Sequence, residues 1–330
     1  MRSAIVSTGR HLPDRVVTND ELAGALNTTP EWIEERTGIR ERRWVEPGET
    51  NAGMAAQAAR RALAQAGLEV GEVDAIVAAT LSAEAVFPGT GVFLQRELGL
   101  EGVPALDVRN QCSGFLYGLS IADAWIASGR YETVLLVGSE VHSTSLDLSP
   151  AGRGVTPLFG DGAGATIVRP ASDGAGVIDV RLGADGRGAE HLWLEVPSSS
   201  HMPSISHEDL DAGRQFPHMD GRIVFRRAVE TLEREIGRVL DAFDAIGPRD
   251  EVLLVAHQAN RRINEMVADR LGLAPAQVVH TIDTWGNTTA ASIPTALDLA
   301  REDGRAHPGR VVIMAAFGSG YTWGTAVVRL

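Results

Sequence analysis

The sequence contains no lysine, so all 30 of its basic residues are arginine. This excludes a lysine Schiff base, and with it the usual chemistry of pyridoxal phosphate, as well as the lysine of a phosphate-binding P-loop. A single cysteine allows no internal disulfide, and the nine histidines are scattered without a metal-binding pair. We therefore expect no metal site, and any covalent intermediate must use a residue other than lysine.

Long apolar runs and a positive net charge are also missing. No stretch approaches the ~18 apolar residues of a membrane span, and the N-terminal segment turns polar within a few residues. With a net charge of −13, the chain has no overall positive field with which to bind nucleic acid. We expect a cytoplasmic protein that binds neither membrane nor nucleic acid. Its 330 residues, 44% of them hydrophobic, suffice for one large domain or two ordinary ones.

The only cysteine lies where a predicted strand gives way to a predicted helix. Residues 103–108 are mostly apolar, and from Phe115 apolar residues recur at helical spacing as far as Gly129. A thiol in the first turn of a helix faces free backbone N–H groups and the positive end of the helix dipole, which lower its pKa and favour the nucleophilic thiolate. Cys112 is thus either a covalent catalyst or a small buried hydrophobic residue.

Strand and helix patterns alternate along the whole chain. The apolar strand 133–138 is of the kind that a parallel sheet buries on both faces, and strands are also predicted at 251–256 and 311–316. Further strands are predicted at 192–196 and 278–281, a long amphipathic helix at 223–246, and a polar loop at 197–221. The glycine-rich run 160–165 has the wrong spacing for a dinucleotide site and continues into a strand, which indicates close backbone packing.

The two halves of the chain repeat one pattern. Residues 77–113 and 252–289 each form a strand, a helix that ends Leu-Gly-Leu, a strand that ends near an aspartate, and a polar turn that opens a helix. A duplicated α/β unit would bring the Cys112 turn face to face with the Asn287 turn, although so short a match also arises by chance. We place the two halves at residues 1–175 and 176–330.

Two polar residues of the second half also follow predicted strands. His257 ends an apolar run, where α/β proteins place working groups, and Asn287 follows Gly286 before a helix. Each has an ordinary explanation, as a core histidine and as a turn or capping asparagine. With Cys112 they form a set that has two chemical uses. In a cysteine hydrolase, histidine deprotonates cysteine and asparagine orients the histidine. In a condensing acyltransferase, cysteine holds an acyl group while histidine and asparagine donate to the oxygen of an enolate.

Seven short segments follow one another along the chain in a distinctive order: 31–33 (EWI), 36–40 (RTGIR), 112–115 (CSGF), 159–164 (FGDGAG), 257–260 (HQAN), 286–292 (GNTTAAS) and 317–324 (FGSGYTWG). In these segments, and from end to end, the chain resembles the β-ketoacyl-acyl-carrier-protein synthase III family of the thiolase superfamily. The resemblance implies a homodimer with the duplicated α/β thiolase fold, five-layered αβαβα. It also implies a decarboxylative condensation of an acyl-CoA with malonyl-acyl-carrier protein through an acyl-cysteine. No cofactor is implied, because the CoA thioester is a substrate.

The resemblance assigns roles to individual residues. Cys112 would take the acyl group, His257 and Asn287 would bind the malonyl thioester, and the backbone N–H groups of Cys112 and Ser319 would form the oxyanion hole. Phe87 would reach across the dimer into the partner's acyl pocket, unless it is an ordinary core phenylalanine. The positions expected to bind CoA are Trp32, Arg36, Thr37, Arg153, Phe225, Asn260 and Phe317. The positions expected to dock the acidic carrier protein, unless they form a solvated helix face, are Arg226, Arg262 and Arg270.

Three features depart from the housekeeping members of the family. The bulky polar residues Arg109, Asn110 and Gln111 precede the cysteine, Ser319 replaces a glycine, and the loop 197–221 is longer than expected. These departures leave open a specialised acyltransferase of secondary metabolism that uses a different acceptor. A cysteine thioester hydrolase and a non-catalytic partner subunit are the further alternatives.

Overall fold

The computed structural model describes residues 2–172, 174–243 and 248–330. In these residues the strands are β1 (Ser3–His11), β2 (Val16–Thr18), β3 (Glu41–Arg43), β4 (Ala75–Ala79), β5 (Ala105–Val108), β6 (Val134–Glu140), β7 (Gly162–Pro170), β8 (Gly176–Ala184), β9 (Leu192–Trp193), β10 (His218–Met219), β11 (Val252–Ala256), β12 (Val311–Gly318) and β13 (Thr322–Arg329). The α-helices are α1 (Asn19–Ala23), α2 (Pro30–Thr37), α3 (Asn51–Ala66), α4 (Thr90–Leu98), α5 (Gly114–Ala127), α6 (His207–Asp211), α7 (Gly221–Phe243), α8 (Arg261–Arg270), α9 (Ile282–Trp285) and α10 (Ser292–Glu302).

The first sheet gathers the ends of its parallel strands at one edge. Its strand order is β1-β7-β6-β4-β5, in which β4 runs parallel to both β5 and β6, while β7 is antiparallel to β6 and β1. Since parallel strands end on the same side of a sheet, the segments that follow β4, β5 and β6 lie together. The segment after β5 contains Cys112.

The second sheet has the strand order β11-β12-β13-β8, and β11 runs parallel to β12. The strand predicted at 278–281 is wrong, because only a single bridge joins Val278 to Leu254 of β11. The side chain of Gln258 supplies the reason. It donates to the carbonyl of Val279 and accepts from the N–H of Thr281, so the backbone there is satisfied without a ladder.

Helices and sheets alternate in five layers. Helices α3 and α4 cover the outer face of the first sheet, α7 and α8 cover the outer face of the second, and α5 and α10 lie between the two sheets. The middle layer is apolar on all sides, with Leu116 and Leu119 of α5 and Ile293 and Leu297 of α10 fully buried. This is the αβαβα order that the resemblance implies. Every strand of the first sheet precedes residue 171 and every strand of the second follows residue 175, while the boundary between the halves remains a prediction.

The region 192–221 differs in detail from the prediction. The strand predicted at 192–196 is shortened to β9, which pairs only with β10, and the predicted loop includes α6 as well as β10. Ser206 and Asp209 form a capping box at the start of α6, a local signal that the polar composition concealed. The predicted helix 223–246 corresponds to α7, and its predicted end at Ile246 lies outside the described residues. Among the helices described, none is both long and apolar enough to cross a bilayer.

Candidate active site

Cys112 lies at the strand-to-helix junction that the sequence predicts. A turn of 3-10 helix covers Gln111–Ser113 between the end of β5 and the start of α5. Gln111 has a φ of 44°, a left-handed conformation that non-glycine residues rarely adopt and that often occurs at functional turns. Cys112 itself is only 7% exposed, but it lines a large cavity. The sulfur is therefore buried and still reachable from the cavity.

The environment of the thiol differs from the one predicted. Burial, and to a smaller extent the charge of Glu140, raise the pKa of Cys112 to about 12. The backbone N–H groups of Cys112 and Ser319 act in the opposite direction but are outweighed. The prediction of a lowered pKa is wrong, because a helix-terminus argument counts the local dipole and not the burial that comes from packing between the two halves.

The end of β12 closes over Cys112. A methyl group at Gly318 would come within 3.0 Å of Cys112 Cβ and 3.1 Å of its backbone nitrogen, so this close approach favours glycine. The backbone N–H groups of Cys112 and Ser319 both lie against the sulfur, where two donors can also receive the oxygen of a thioester carbonyl. The Ser319 hydroxyl donates to the carbonyl of Leu192 instead of occupying this space.

His257 follows β11 and presents one unpaired nitrogen. Its Nδ1 lies 2.7 Å from Ser292 Oγ, which also accepts the N–H of Gln258. The serine hydroxyl can give its own proton to Nδ1 while it accepts from Gln258, and on this basis we assign the imidazole proton to Nε2. Nε2 is buried without a partner among the described residues, and burial lowers the pKa of His257 to about 3. A neutral imidazole with a free N–H in the cavity can donate to a substrate oxygen.

Asn287 is fixed by its backbone and by one end of its side chain. Its N–H donates to the carbonyl of Leu158 at 2.7 Å, and its carbonyl accepts from Gly160. The carboxamide oxygen accepts the N–H of Thr289 at 2.9 Å, and this leaves the amide nitrogen for the cavity that Asn287 lines. The arrangement supplies a second hydrogen-bond donor near His257.

Close backbone contacts hold the turns of the two halves together. The 3-10 turn Thr289–Ala291 contacts the turn Gln111–Ser113, as the duplicated pattern predicts. A methyl group at Gly138 of β6 would come within 2.3 Å of the carbonyl oxygen of Ala290, and one at Gly160 within 2.1 Å of that of Trp285. The glycine-rich run thus serves close packing, as predicted, and the spacing of the site is set by the main chain.

The cavity has a volume of about 1200 Å³ and brings together most of the predicted residues. Those that line it are Cys112, His257, Asn287, Ser319, Trp32, Arg36, Thr37, Arg153, Phe225, Asn260, Arg262 and Phe317. It therefore joins the buried polar groups to an arginine-rich entrance. Among the residues described, no group of three His, Cys, Asp or Glu side chains is arranged to hold a metal.

Aromatic and cationic groups form the entrance. The guanidinium carbons of Arg36 and Arg153 lie 4.8 and 5.0 Å from the ring centroid of Trp32, and that of Arg262 lies 5.7 Å from the Phe225 ring. Such pairs offer flat apolar surface and positive charge to a nucleotide. The side chains of two residues predicted to bind CoA already form hydrogen bonds within the protein. The Thr37 hydroxyl donates to the carbonyl of Ile33, and Asn260 caps α8 and donates to the carbonyl of Arg36.

Three predicted residues do not line the cavity. Arg226 and Arg270 are exposed, and Arg270 forms an ion pair with Glu233 at 2.7 Å. Phe87 is 84% exposed, so its interpretation as a core phenylalanine is wrong.

Sequence reasoning missed His142 and Glu140, which are buried beside the predicted set. His142 lines the cavity, and Glu140 accepts hydrogen bonds from Ser82 and from the N–H of Leu81. Burial raises the pKa of the Glu140 carboxyl and lowers that of His142 to about 4. Both lie within four residues of the end of the predicted strand 133–138, so the strand-end argument that singled out His257 applied to them as well.

Comparisons with known proteins identify the family. Residues 106–186 match the model for 3-oxoacyl-[acyl-carrier-protein] synthase III, and residues 222–330 match the model for its C-terminal part. The β-ketoacyl-[acyl-carrier-protein] synthase III of Bordetella petrii is 42% identical over 99% of this chain and 98% of its own. The chain belongs to the β-ketoacyl-acyl-carrier-protein synthase III family. The predicted resemblance is thus confirmed, as is the class of enzyme, an acyltransferase.

Solved structures of the family have the same fold. The crystal structure of 3-oxoacyl-[acyl-carrier-protein] synthase III from Aquifex aeolicus matches with a TM-score of 0.89 and 38% identity, over 99% of this chain and 100% of that one. The priming β-ketosynthase of the R1128 polyketide pathway matches with a TM-score of 0.89 and 37% identity, over 99% and 96%. The predicted thiolase fold is confirmed. The family condenses an acyl-CoA with malonyl-acyl-carrier protein, and this confirms the predicted reaction.

Proposed function

We propose that Cys112 carries the acyl group of this reaction and that His257 and Asn287 stabilise the enolate formed from the malonyl thioester. The observation that carries the proposal is the buried, unpartnered Nε2 of His257 in the same cavity as the Asn287 amide and the Cys112 sulfur. Leaving a buried donor without a partner costs about 1–3 kcal/mol, so such an atom is a sign of a ligand oxygen. Two neutral donors match the single negative oxygen of an enolate.

The chemistry divides into two half-reactions. In the first, the Cys112 sulfur attacks the thioester carbonyl of acyl-CoA, the N–H groups of Cys112 and Ser319 receive the oxyanion, and CoA leaves as its thiol with the proton of the cysteine. In the second, the malonyl thioester loses carbon dioxide to give an enolate whose oxygen is held by His257 and Asn287. The enolate carbon then attacks the acyl-cysteine and releases a β-ketoacyl thioester and the free thiolate.

The entrance supports binding of CoA and of a carrier protein. Trp32 with Arg36 and Arg153 would bind the nucleotide, and Phe225 and Phe317 would line the path of the pantetheine arm. Of the arginines predicted to dock the acidic carrier protein, Arg226 and Arg262 are exposed and form no ion pair among the described residues, whereas Arg270 is already paired. We assign the docking role to Arg226 and Arg262 first. Both substrates belong to the cytoplasm, where we place the enzyme.

The exposed edge of the first sheet supports a homodimer. Strand β5 lies at the end of the strand order, and Leu106 on it is 39% exposed. Val86 and Phe87 are both 84% exposed, and Asp107 of β5 anchors the segment that follows them by accepting the N–H of Gly91. Exposed apolar residues beside a free strand edge favour pairing with a second copy. In such a dimer Phe87 would enter the partner's acyl pocket, and a Phe87→Ser variant should sediment as a monomer.

A specialised acyltransferase remains the second candidate. The priming β-ketosynthase of a polyketide pathway is as similar to this chain as are several fatty-acid enzymes. Arg109 and Gln111 line the cavity, which gives it polar groups beside the cysteine. This candidate keeps the acyl-cysteine and differs in the starter and the acceptor.

Intact-mass measurement with a panel of acyl-CoAs tests the proposal. We expect one acyl group to be added to the protein and none to Cys112→Ala, after which malonyl carrier protein should release a β-ketoacyl product. His257→Ala and Asn287→Ala should still acylate but lose about 10²–10³-fold in decarboxylation, the usual effect of deleting an oxyanion donor. Release of the free acid would indicate a hydrolase, a different acylated product would indicate the second candidate, and no added mass would contradict both.

A further inference from the structure

His142 is a buried imidazole in the catalytic cavity that the proposed reaction does not use. It follows β6 by two residues and is only 7% exposed. Its backbone N–H donates to Asp161 Oδ1 at 2.6 Å, and its ring packs on Phe159 with the ring centroids 4.6 Å apart. The residue is therefore held at its backbone and along one face of its ring.

The ring of His142 bonds to the turn that follows Asn287. Its Nε2 lies 3.0 Å from Thr289 Oγ1. This hydrogen bond joins the imidazole to the Thr289 side chain, and both groups are buried. The His142 ring therefore holds the threonine hydroxyl in place.

Thr289 has a strained backbone conformation and hydrogen-bonds to the side chain of Asn287. Its φ is 41°, a left-handed conformation that is strained for a β-branched residue and persists only where the surroundings enforce it. In this conformation its N–H donates to the carboxamide oxygen of Asn287 at 2.9 Å. Phe159, on which the His142 ring packs, also pairs with Asn287 through an isolated β-bridge. His142 therefore contacts Thr289, which bonds to the Asn287 carboxamide, and Phe159, which lies opposite Asn287 in the bridge.

We propose that His142 is a positioning residue that aims the amide nitrogen of Asn287 at the enolate oxygen, acting through Thr289. This inference rests on the proposed function, because the orientation of Asn287 matters only if its amide serves decarboxylation. It assigns His142 to the second half-reaction. The transfer of the acyl group to Cys112 uses the N–H groups of Cys112 and Ser319, which His142 does not contact.

Separate measurement of the two half-reactions tests the assignment. His142→Leu should lower the rate of malonyl decarboxylation about tenfold, a part of the effect of deleting an oxyanion donor, while the rate of Cys112 acylation changes by less than about threefold. His142→Gln keeps a side-chain hydrogen-bond donor and should retain most of the wild-type rate of decarboxylation. Thr289→Ser keeps the hydroxyl and should likewise retain most of that rate. His11→Leu serves as the matched control, since it removes a half-buried imidazole that does not line the cavity.

A double-mutant cycle provides the second readout. If His142 acts through Asn287, His142→Leu should cost less than about twofold in decarboxylation once Asn287→Ala is present. An equal loss in both backgrounds would overturn the assignment, as would an equal fall of acylation and decarboxylation, or an unchanged rate in His142→Leu. If Asn287→Ala alone left decarboxylation intact, the proposed function itself would be the part that fails.

Discussion

Two neutral histidines buried in the cavity should make the protein lose stability in mild acid. The folded-state pKa is about 4 for His142 and about 3 for His257, and burial is the main cause of both. An unfolded histidine has a pKa of ~6.5. As the pH falls below ~6.5, the unfolded chain therefore binds protons that the folded chain does not, and unfolding becomes more favourable. The stability that the two neutral histidines contribute is fully present above pH ~6.5. It is lost progressively as the pH falls from ~6.5 to the folded-state pKa values.

The size of the effect follows from the same pKa values. Each group contributes up to ~1.4 kcal/mol per pH unit between its two pKa values. From pH 7 to pH 5 this amounts to about 2 kcal/mol for each histidine, or about 4 kcal/mol for both. A loss of this size is a large part of the ~5–15 kcal/mol that stabilises a typical protein.

Urea unfolding measures this loss of stability. Unfolding is followed by tryptophan fluorescence at pH 7, 6 and 5, at one fixed protein concentration. His142→Leu and His257→Leu should each reduce the loss of stability between pH 7 and pH 5 by about 2 kcal/mol, whatever their effect at pH 7. Ile293→Val, an apolar change in the middle layer, should lower the free energy of unfolding by the same ~1 kcal/mol at every pH. If the difference between wild type and the histidine variants were the same at pH 7 and pH 5, the imidazoles would not be buried as described.

Two further predictions concern the thiol and the packing of the turns. Alkylation of Cys112 by iodoacetamide, followed by intact mass, should accelerate about tenfold per pH unit from pH 7 to 10, because its pKa is about 12; a plateau near the ordinary ~8.5 would show an unperturbed thiol. Gly138→Ala should lower the free energy of unfolding by about 1–3 kcal/mol, since the Ala290 carbonyl cannot retreat, while Gly24→Ala, in open space, should not; equal urea midpoints would contradict this.

Much of the site could be predicted because its signals are local. A strand that ends at a polar residue can be recognised within a few positions, and this rule located Cys112 and His257. Asn287 was singled out by the Gly286-Asn287 turn that precedes a helix. Helix boundaries could also be predicted from local sequence. Thr50 caps the start of α3, and Gly67 ends that helix in the left-handed conformation that glycine favours.

The parts that could not be predicted depend on contacts between distant residues. The bond from His142 joins it to Thr289, 147 positions away. The pKa of Cys112 is set by burial that exists only when the two halves pack together. Likewise, the strand expected near Val278 is absent because the side chain of Gln258 satisfies the neighbouring backbone. Local propensity carries no information about these partners.

The contact of Gly138 with the Ala290 carbonyl has a consequence for how such enzymes diversify. Where peptide groups of the two halves touch directly, the distance between nucleophile and donors does not depend on the identity of the surrounding side chains. Residues that line the cavity, such as Leu81 and Arg109, can then be exchanged without changing the spacing of the reacting atoms. Redesign for new starters should accordingly tolerate wide variation in the cavity wall, whereas replacement of Gly138 or Gly160 should lower the stability of the fold.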